Sequence, residues 1–148
     1  MPAAIRRATV DDLEVVAGLF DQYRQFYSSA PDLDGARRFL RSRLESGDSA
    51  VLLAFDGKEA LGFTQLYPSF SSVSMARIFI LNDLFVAPAG RRRGVGASLL
   101  DAAAAFARNS GAVRLALSTG VSNTIAQSLY EQKGWKRDTD FVVYQFQL

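Results

Sequence analysis

Residues 78–109 constrain the fold more than any other stretch of this chain. Positions 78–86 are almost continuously apolar, interrupted only by Asn82 and Asp83, and Pro88 follows. Such a run reads as a buried strand, because a strand at a sheet surface would alternate, and proline ends its ladder. Then come Gly90, three arginines and two further glycines, and after them a helix over 94–109. Val95, Leu99, Ala102, Ala103 and Phe106 recur along one side of that helix, and Gly111 stands where a helix C-cap glycine belongs. A buried strand feeding an amphipathic helix must return to the sheet. Residues 113–117 are apolar enough to be the returning strand, which makes a β-α-β crossover.

The other elements fit around this unit. Ile5 to Ala8 predicts a short first strand, and Thr9 with Asp12 a capping box. Leu13, Val16, Phe20, Tyr23 and Tyr27 recur at helical spacing, and a second helix is expected over 33–44. Residues 50–55 and 61–67 read as strands joined by the tight turn Asp56-Gly57. Residues 68–74 read as a polar loop, 123–132 as a short helix closed by Gly134, and 141–148, alternating strictly, as a final strand. The expectation is a mixed α/β fold in one domain over 1–148, with antiparallel hairpins and at least one β-α-β crossover.

Composition removes whole classes of chemistry. The 148 residues include no Cys and no His. Disulfides, thiolate nucleophiles, Ser-His-Asp triads and His or Cys metal sites are therefore excluded. Proton transfer must use carboxylates, Tyr, Lys, water or the substrate itself. A formal net charge of +2 gives no general argument for nucleic acid or membrane. No secretory leader or membrane span is recognisable, so a cytoplasmic location is expected.

The positive charge that does exist is concentrated. Arg91, Arg92 and Arg93 precede Gly94-Val95-Gly96 at a helix start. Helix-terminal N–H groups and the helix dipole favour an anion there, and glycines let a ligand approach the backbone. This is a phosphate or pyrophosphate cradle. It lacks the Walker A pattern, and Leu99 stands where a dinucleotide fingerprint needs its third glycine.

Arg91-Arg92-Arg93-Gly94-Val95-Gly96 resembles the Gln/Arg-x-x-Gly-x-Gly/Ala pyrophosphate motif of the GCN5-related N-acetyltransferases. Residues 83–88 look like that family's bulged central strand. Asn123, Ala126, Leu129, Tyr130, Gly134 and Trp135 are similar in spacing to its second landmark, Asn-x-x-Ala-x-x-Leu-Tyr-x-x-x-Gly-aromatic. The resemblance covers the chain and implies an acyl-CoA N-acyltransferase fold, with a central mixed, mostly antiparallel sheet flanked by about four helices, acetyl-CoA as cofactor, and direct attack of an amine on the thioester in a ternary complex. It also implies that the strands 78–86 and 113–117 splay, with the pantetheine arm paired to the backbone of Leu84, Phe85 and Val86.

Roles follow from the resemblance. Tyr130 is the expected general acid toward the departing thiolate; as a bare aromatic it would be core. Asn123 is expected on the cofactor arm, a role compatible with capping its helix. Many relatives carry Glu where this chain has Asn82, and an amide takes no proton. Asp83 is then the candidate base, with a structural role in holding loop backbone as the competing reading. Tyr23, Phe26, Tyr27, Phe70 and Ser71 are candidate acceptor-pocket residues, and aromatic walls suit a cation. The expected acceptor is a small primary amine, polyamine-like or amino-acid-like, rather than a protein lysine, nucleic acid or membrane. The competing function is a non-catalytic acyl-CoA-binding regulatory module. The apolar last segment, 141–148, is available for a homodimer contact.

Overall fold

The structure, a computed structural model, describes residues 3–148. They pack as two compact units, the first ending at Ser118 and the second spanning Thr119–Leu148. The first holds a five-stranded sheet in the spatial order β1 (Ala4–Arg7), β2 (Ala50–Asp56), β3 (Glu59–Ser71), β4 (Ala76–Val86), β5 (Leu115–Ala116). Strands β1 to β4 pair antiparallel, and β5 runs parallel to β4. The helices of this unit are α1 (Leu13–Phe26), α2 (Leu33–Ser46) and α3 (Val95–Asn109). The second unit contains α4 (Thr124–Gln132). The mixed, mostly antiparallel sheet with four α-helices matches the expectation.

Local chemistry sets the element ends. The Asp12 carboxylate accepts the Thr9 backbone N–H at 2.9 Å, closing the capping box that opens the turn into α1. Asp32 caps α2 by accepting the Gly35 N–H at 2.9 Å. At the end of α3, Gly111 takes φ +79°, its N–H bonds to Arg108, and the Ala112 N–H bonds back to Ala107. This is a Schellman closure, which needs the left-handed residue that glycine supplies.

Helices α1 and α2 pack on one face of the sheet, where Val16, Ala17 and Leu40 meet Val51, Leu53, Phe63 and Phe85. Helix α3 buries Val95, Leu99, Leu100, Ala103 and Ala107. Ala102 and Phe106, expected in that stripe, are only half-buried. The Phe106 ring packs against Phe79 at 5.4 Å and carries the Arg7 guanidinium at 5.2 Å.

Three expected boundaries differ. Residues 68–71 belong to β3 rather than to a loop, and the turn shrinks to 72–75. Pro68 is tolerated because β2 pairs with β3 only as far as Leu66, so Pro68 has β4 alone beside it. Strand β5 is two residues, Leu115–Ala116, rather than the expected 113–117. Residues 141–148 carry no strand in the second unit. Alternation marks a face that a partner strand could cover, but a ladder exists only where that partner's backbone is in reach.

Candidate active site

The site begins at a bulge. Gln65 lies opposite Asp83, but the next pair is Leu66 with Leu81, so Asn82 is an extra residue in β4. Because side chains alternate, one inserted residue exchanges the faces on either side of it. Phe79, before the bulge, packs on Phe106 of α3. Phe85, after it, packs on Tyr23 of α1 at 6.4 Å. The bulge thus turns Asp83 and Phe85 to the α1/α2 face, although Phe79, Leu81, Asp83 and Phe85 are evenly spaced in sequence.

Asp83 is 2% exposed and fully engaged. Its Oδ2 accepts from Gln65 Nε2 at 2.6 Å and its Oδ1 from Asn82 Nδ2 at 2.8 Å. Ser49 Oγ donates to Gln65 Oε1 at 2.9 Å, which sets the orientation of the Gln65 amide. Thr64 Oγ1 donates to the Asp83 carbonyl at 2.7 Å, and the Tyr23 hydroxyl donates to the Asn82 carbonyl at 3.1 Å. Burial raises the Asp83 carboxyl above its usual range, while bonds from Gln65, Asn82 and Tyr23 pull it back. The result is a buried carboxylate whose hydrogen-bond partners are all neutral.

Beyond the bulge, β4 runs toward the cradle. Strand β5 pairs with β4 only at Phe79–Leu115 and Ile80–Ala116. From Leu81 to Val86, β4 is laddered to β3 alone among the described residues. Leu84, Phe85 and Val86 therefore lie on a stretch with a vacant ladder edge, as the expected splay requires. Gly62 lies opposite Val86, and a Cβ there would come 2.6 Å from the Phe85 carbonyl oxygen. Gly90 is also confined, a Cβ there coming 2.9 Å from Leu61 and 3.1 Å from Val86. Neither Gly62 nor Gly90 is a site residue by sequence reading, since only the ladder reveals the close approach.

The strand leads into the α3 start. Gly94 is its N-cap, with φ +74° and open space around it. No side chain caps α3, and no acidic residue lies in its first turn. The first helical bond is from the Ser98 N–H to the Gly94 carbonyl, which leaves the N–H groups of Val95, Gly96 and Ala97 ahead of the ladder. The three arginines are not equivalent. Arg91 Nε donates to the Val86 carbonyl at 3.1 Å, and Arg93 is paired with Asp56 at 2.7 Å. Arg92 is exposed, has no hydrogen bond among the described residues and takes φ +61°, a strained angle for a residue with a Cβ. Donors, positive charge and access fit a pyrophosphate.

In the second unit, Asn123 is the N-cap of α4, its Oδ1 accepting the Ala126 N–H at 3.2 Å. Tyr130 is half-buried in α4, with its ring 6.1 Å from Trp135. The Trp135 N–H bonds to the Tyr130 carbonyl, and Gly134 takes φ +92° to make that turn. Of the acceptor-pocket candidates, the structure brings together Tyr23, Phe26 and Tyr27, with Tyr23–Tyr27 at 5.1 Å and Phe26–Tyr27 at 5.3 Å. It separates Phe70 from them. That ring lies under Arg77 at 4.4 Å, and Arg77 also reaches Phe79, on the α3 face.

Comparison with known proteins identifies the family. The Acetyltransferase (GNAT) family matches residues 16–135. An uncharacterized N-acetyltransferase of Bacillus subtilis (strain 168), YhfO, is 54% identical over 95% of this chain and 94% of its own. The crystal structure of a probable acetyltransferase superposes with a TM-score of 0.92 at 42% identity, covering 98% of this chain and 97% of that one. An aminoglycoside N-acetyltransferase solved in complex with CoA shares the fold, with a TM-score of 0.82 at 24% identity over 99% and 95% of the two chains. With the family matched across residues 16–135 and a relative 54% identical over nearly the whole chain, this chain belongs to the GNAT acetyltransferase family and uses acetyl-CoA.

Proposed function

We propose that this enzyme transfers the acetyl group of acetyl-CoA to the nitrogen of a small primary amine, and that residues 1–148 act as one acetyltransferase domain. The family match runs from residue 16 to 135, through both compact units, which supports the single domain. The observation that carries the reading is the continuity of β4 and α3. Leu84, Phe85 and Val86 offer ladder positions, and eight residues after Val86 Gly94 opens the helix start. An extended amide-bearing arm ending in a pyrophosphate would bind along that path. Leu84 to Val86 would hold the arm, and Arg91, Arg92, Arg93, Gly94, Val95 and Gly96 the pyrophosphate. By the family resemblance, Asn123 would also contact the arm.

Bound there, acetyl-CoA supplies an acetyl group activated as a thioester. The amine nitrogen bonds to the carbonyl carbon, and the carbon–sulfur bond breaks. A β4 N–H beyond the bulge stabilises the carbonyl oxygen as it gains charge. Tyr130 gives its phenolic proton to the departing sulfur. The proton lost by the nitrogen goes to Asp83 through a water, beside the Tyr23 hydroxyl that holds the Asn82 carbonyl of the bulge. Burial makes Asp83 a stronger base than an exposed carboxylate. The aminoglycoside enzyme of like fold acts on an amine, which supports a small-molecule acceptor.

The test is calorimetric titration with acetyl-CoA, followed by release of free CoA against a panel of polyamines, amino acids and aminoglycosides. Binding with turnover on one class is expected. Binding without turnover on any amine would favour a regulatory acyl-CoA-binding module, and no binding would overturn the cradle.

A further inference from the structure

Tyr67 is not among the residues that sequence spacing or the family landmarks nominate. It lies two residues beyond Gln65 in β3, so both side chains project to the α1/α2 face, the face to which the bulge turns Asp83. It also lies one residue past the last β2 partner, Leu66, where β3 leaves the cover of β2. Its side chain is half-buried, and its hydroxyl has no hydrogen bond among the described residues.

Its surroundings are charged in an unbalanced way. Arg43 and Asp48 act on Tyr67 with opposite sign and are paired to each other at 2.7 Å. Asp83 is different: Gln65 and Asn82 take its two oxygens, and no Lys or Arg of the described residues is paired with it. A carboxylate that is 2% exposed and lacks a counter-ion is costly to keep. Its field falls on Tyr67, whose hydroxyl is pushed up to about 12 by burial and by that charge. The phenol therefore stays neutral, and its oxygen, on the same sheet face as Asp83, is available to accept a hydrogen bond. A cation is the ligand such a place recognises.

We propose that Tyr67 is a specificity-determining residue for the acceptor. Its phenol oxygen accepts a hydrogen bond from an ammonium group of the substrate, and the buried charge of Asp83 balances that ammonium. This deepens the amine reading and rests on it. It commits the pocket to acceptors that arrive as cations, and against alcohols or neutral amides of the same shape.

The experiment measures binding apart from turnover. 1,4-Diaminobutane, 1-butylamine and 1-butanol are titrated by NMR into the free protein and into protein saturated with CoA. Both amines are expected to bind, with 1-butanol at least about tenfold weaker, the cost of losing a hydrogen bond to a charged group. Tyr67→Phe keeps the ring, and is expected to weaken both amines about tenfold while leaving 1-butanol and CoA affinity unmoved. In turnover with whichever amine is accepted, the variant raises KM for the amine and not for acetyl-CoA. Equal binding of amine and alcohol, wild-type amine affinity in Tyr67→Phe, or no amine binding to either form would each overturn the proposal. CoA binding in those same samples reports separately on the transferase reading, so the two can fail independently.

Discussion

Gln65 and Asp83 face each other across β3 and β4, joined by a 2.6 Å hydrogen bond at the last regular pair before the bulge. The bond fixes the register at the point where the strand changes faces. Replacing Gln65 with Leu leaves a buried carboxylate one donor short and orphans the Ser49 hydroxyl. The expected cost is about 3 kcal/mol, read as a lower urea midpoint at pH 7.

The Asp83 carboxyl is raised in the folded state above its ordinary value of 3.8, chiefly by burial. The folded protein then holds this proton more tightly than the unfolded chain does. Its contribution to stability is fully present below the unfolded value and is lost as pH rises through the folded one. Asp83→Asn removes the titration. The stability of wild type relative to this variant is therefore expected to rise as pH falls from neutral toward 3.8. Paired urea melts at pH 7 and in the acid range check it; a gap that is constant, or that moves the other way, refutes it.

Gly62 and Gly18 make a contrast. A Cβ at Gly62 meets the Phe85 carbonyl oxygen at 2.6 Å, whereas one at Gly18 in α1 meets nothing within 4 Å. Gly62→Ala is expected to cost about 1–3 kcal/mol by forcing β3 from β4, and to weaken acetyl-CoA binding because the strand it displaces carries 84–86. Gly18→Ala is expected to stabilise by about 0.5–1 kcal/mol with unchanged binding. Denaturation and calorimetry on the pair test both halves.

Among the arginines, Arg92 is uncommitted while Arg93 is held by Asp56. Arg92→Ala is expected to weaken acetyl-CoA binding by about tenfold in low salt, and Arg93→Ala by less. The difference should narrow in high salt, because both side chains are solvent-accessible. Gly94→Glu, which sets a carboxylate at the α3 start, should abolish binding.

Tyr130→Phe is expected to lower kcat by about a hundredfold, the usual scale for a lost general acid. The acetyl-CoA dissociation constant should stay within about twofold, as a phenol that acts only on the leaving sulfur adds little to ground-state binding. Unchanged turnover would remove Tyr130 from the mechanism.

The proposed cradle is legible in sequence because everything that nominates it is local: a strand end, glycines at a helix start and a run of basic residues within a dozen positions. The capping box at Thr9 and the closure at Gly111 were legible for the same reason. The Asp83 network was not, since Ser49, Gln65 and Asp83 are brought together by pairing across β3 and β4 rather than by spacing. Residues 68–71 were misread as loop because their composition is turn-like, while their strand state depends on β4 lying alongside.

The sequence by itself determined the family and most of the elements, and nominated residues 91–96 for an anion, because periodicity and motif spacing are properties of a chain before it folds. Only the tertiary structure decided which face Asp83 occupies. An alternating pattern carries no mark of an inserted residue, and the register that makes Asn82 the bulge exists only once β3 supplies the partner strand.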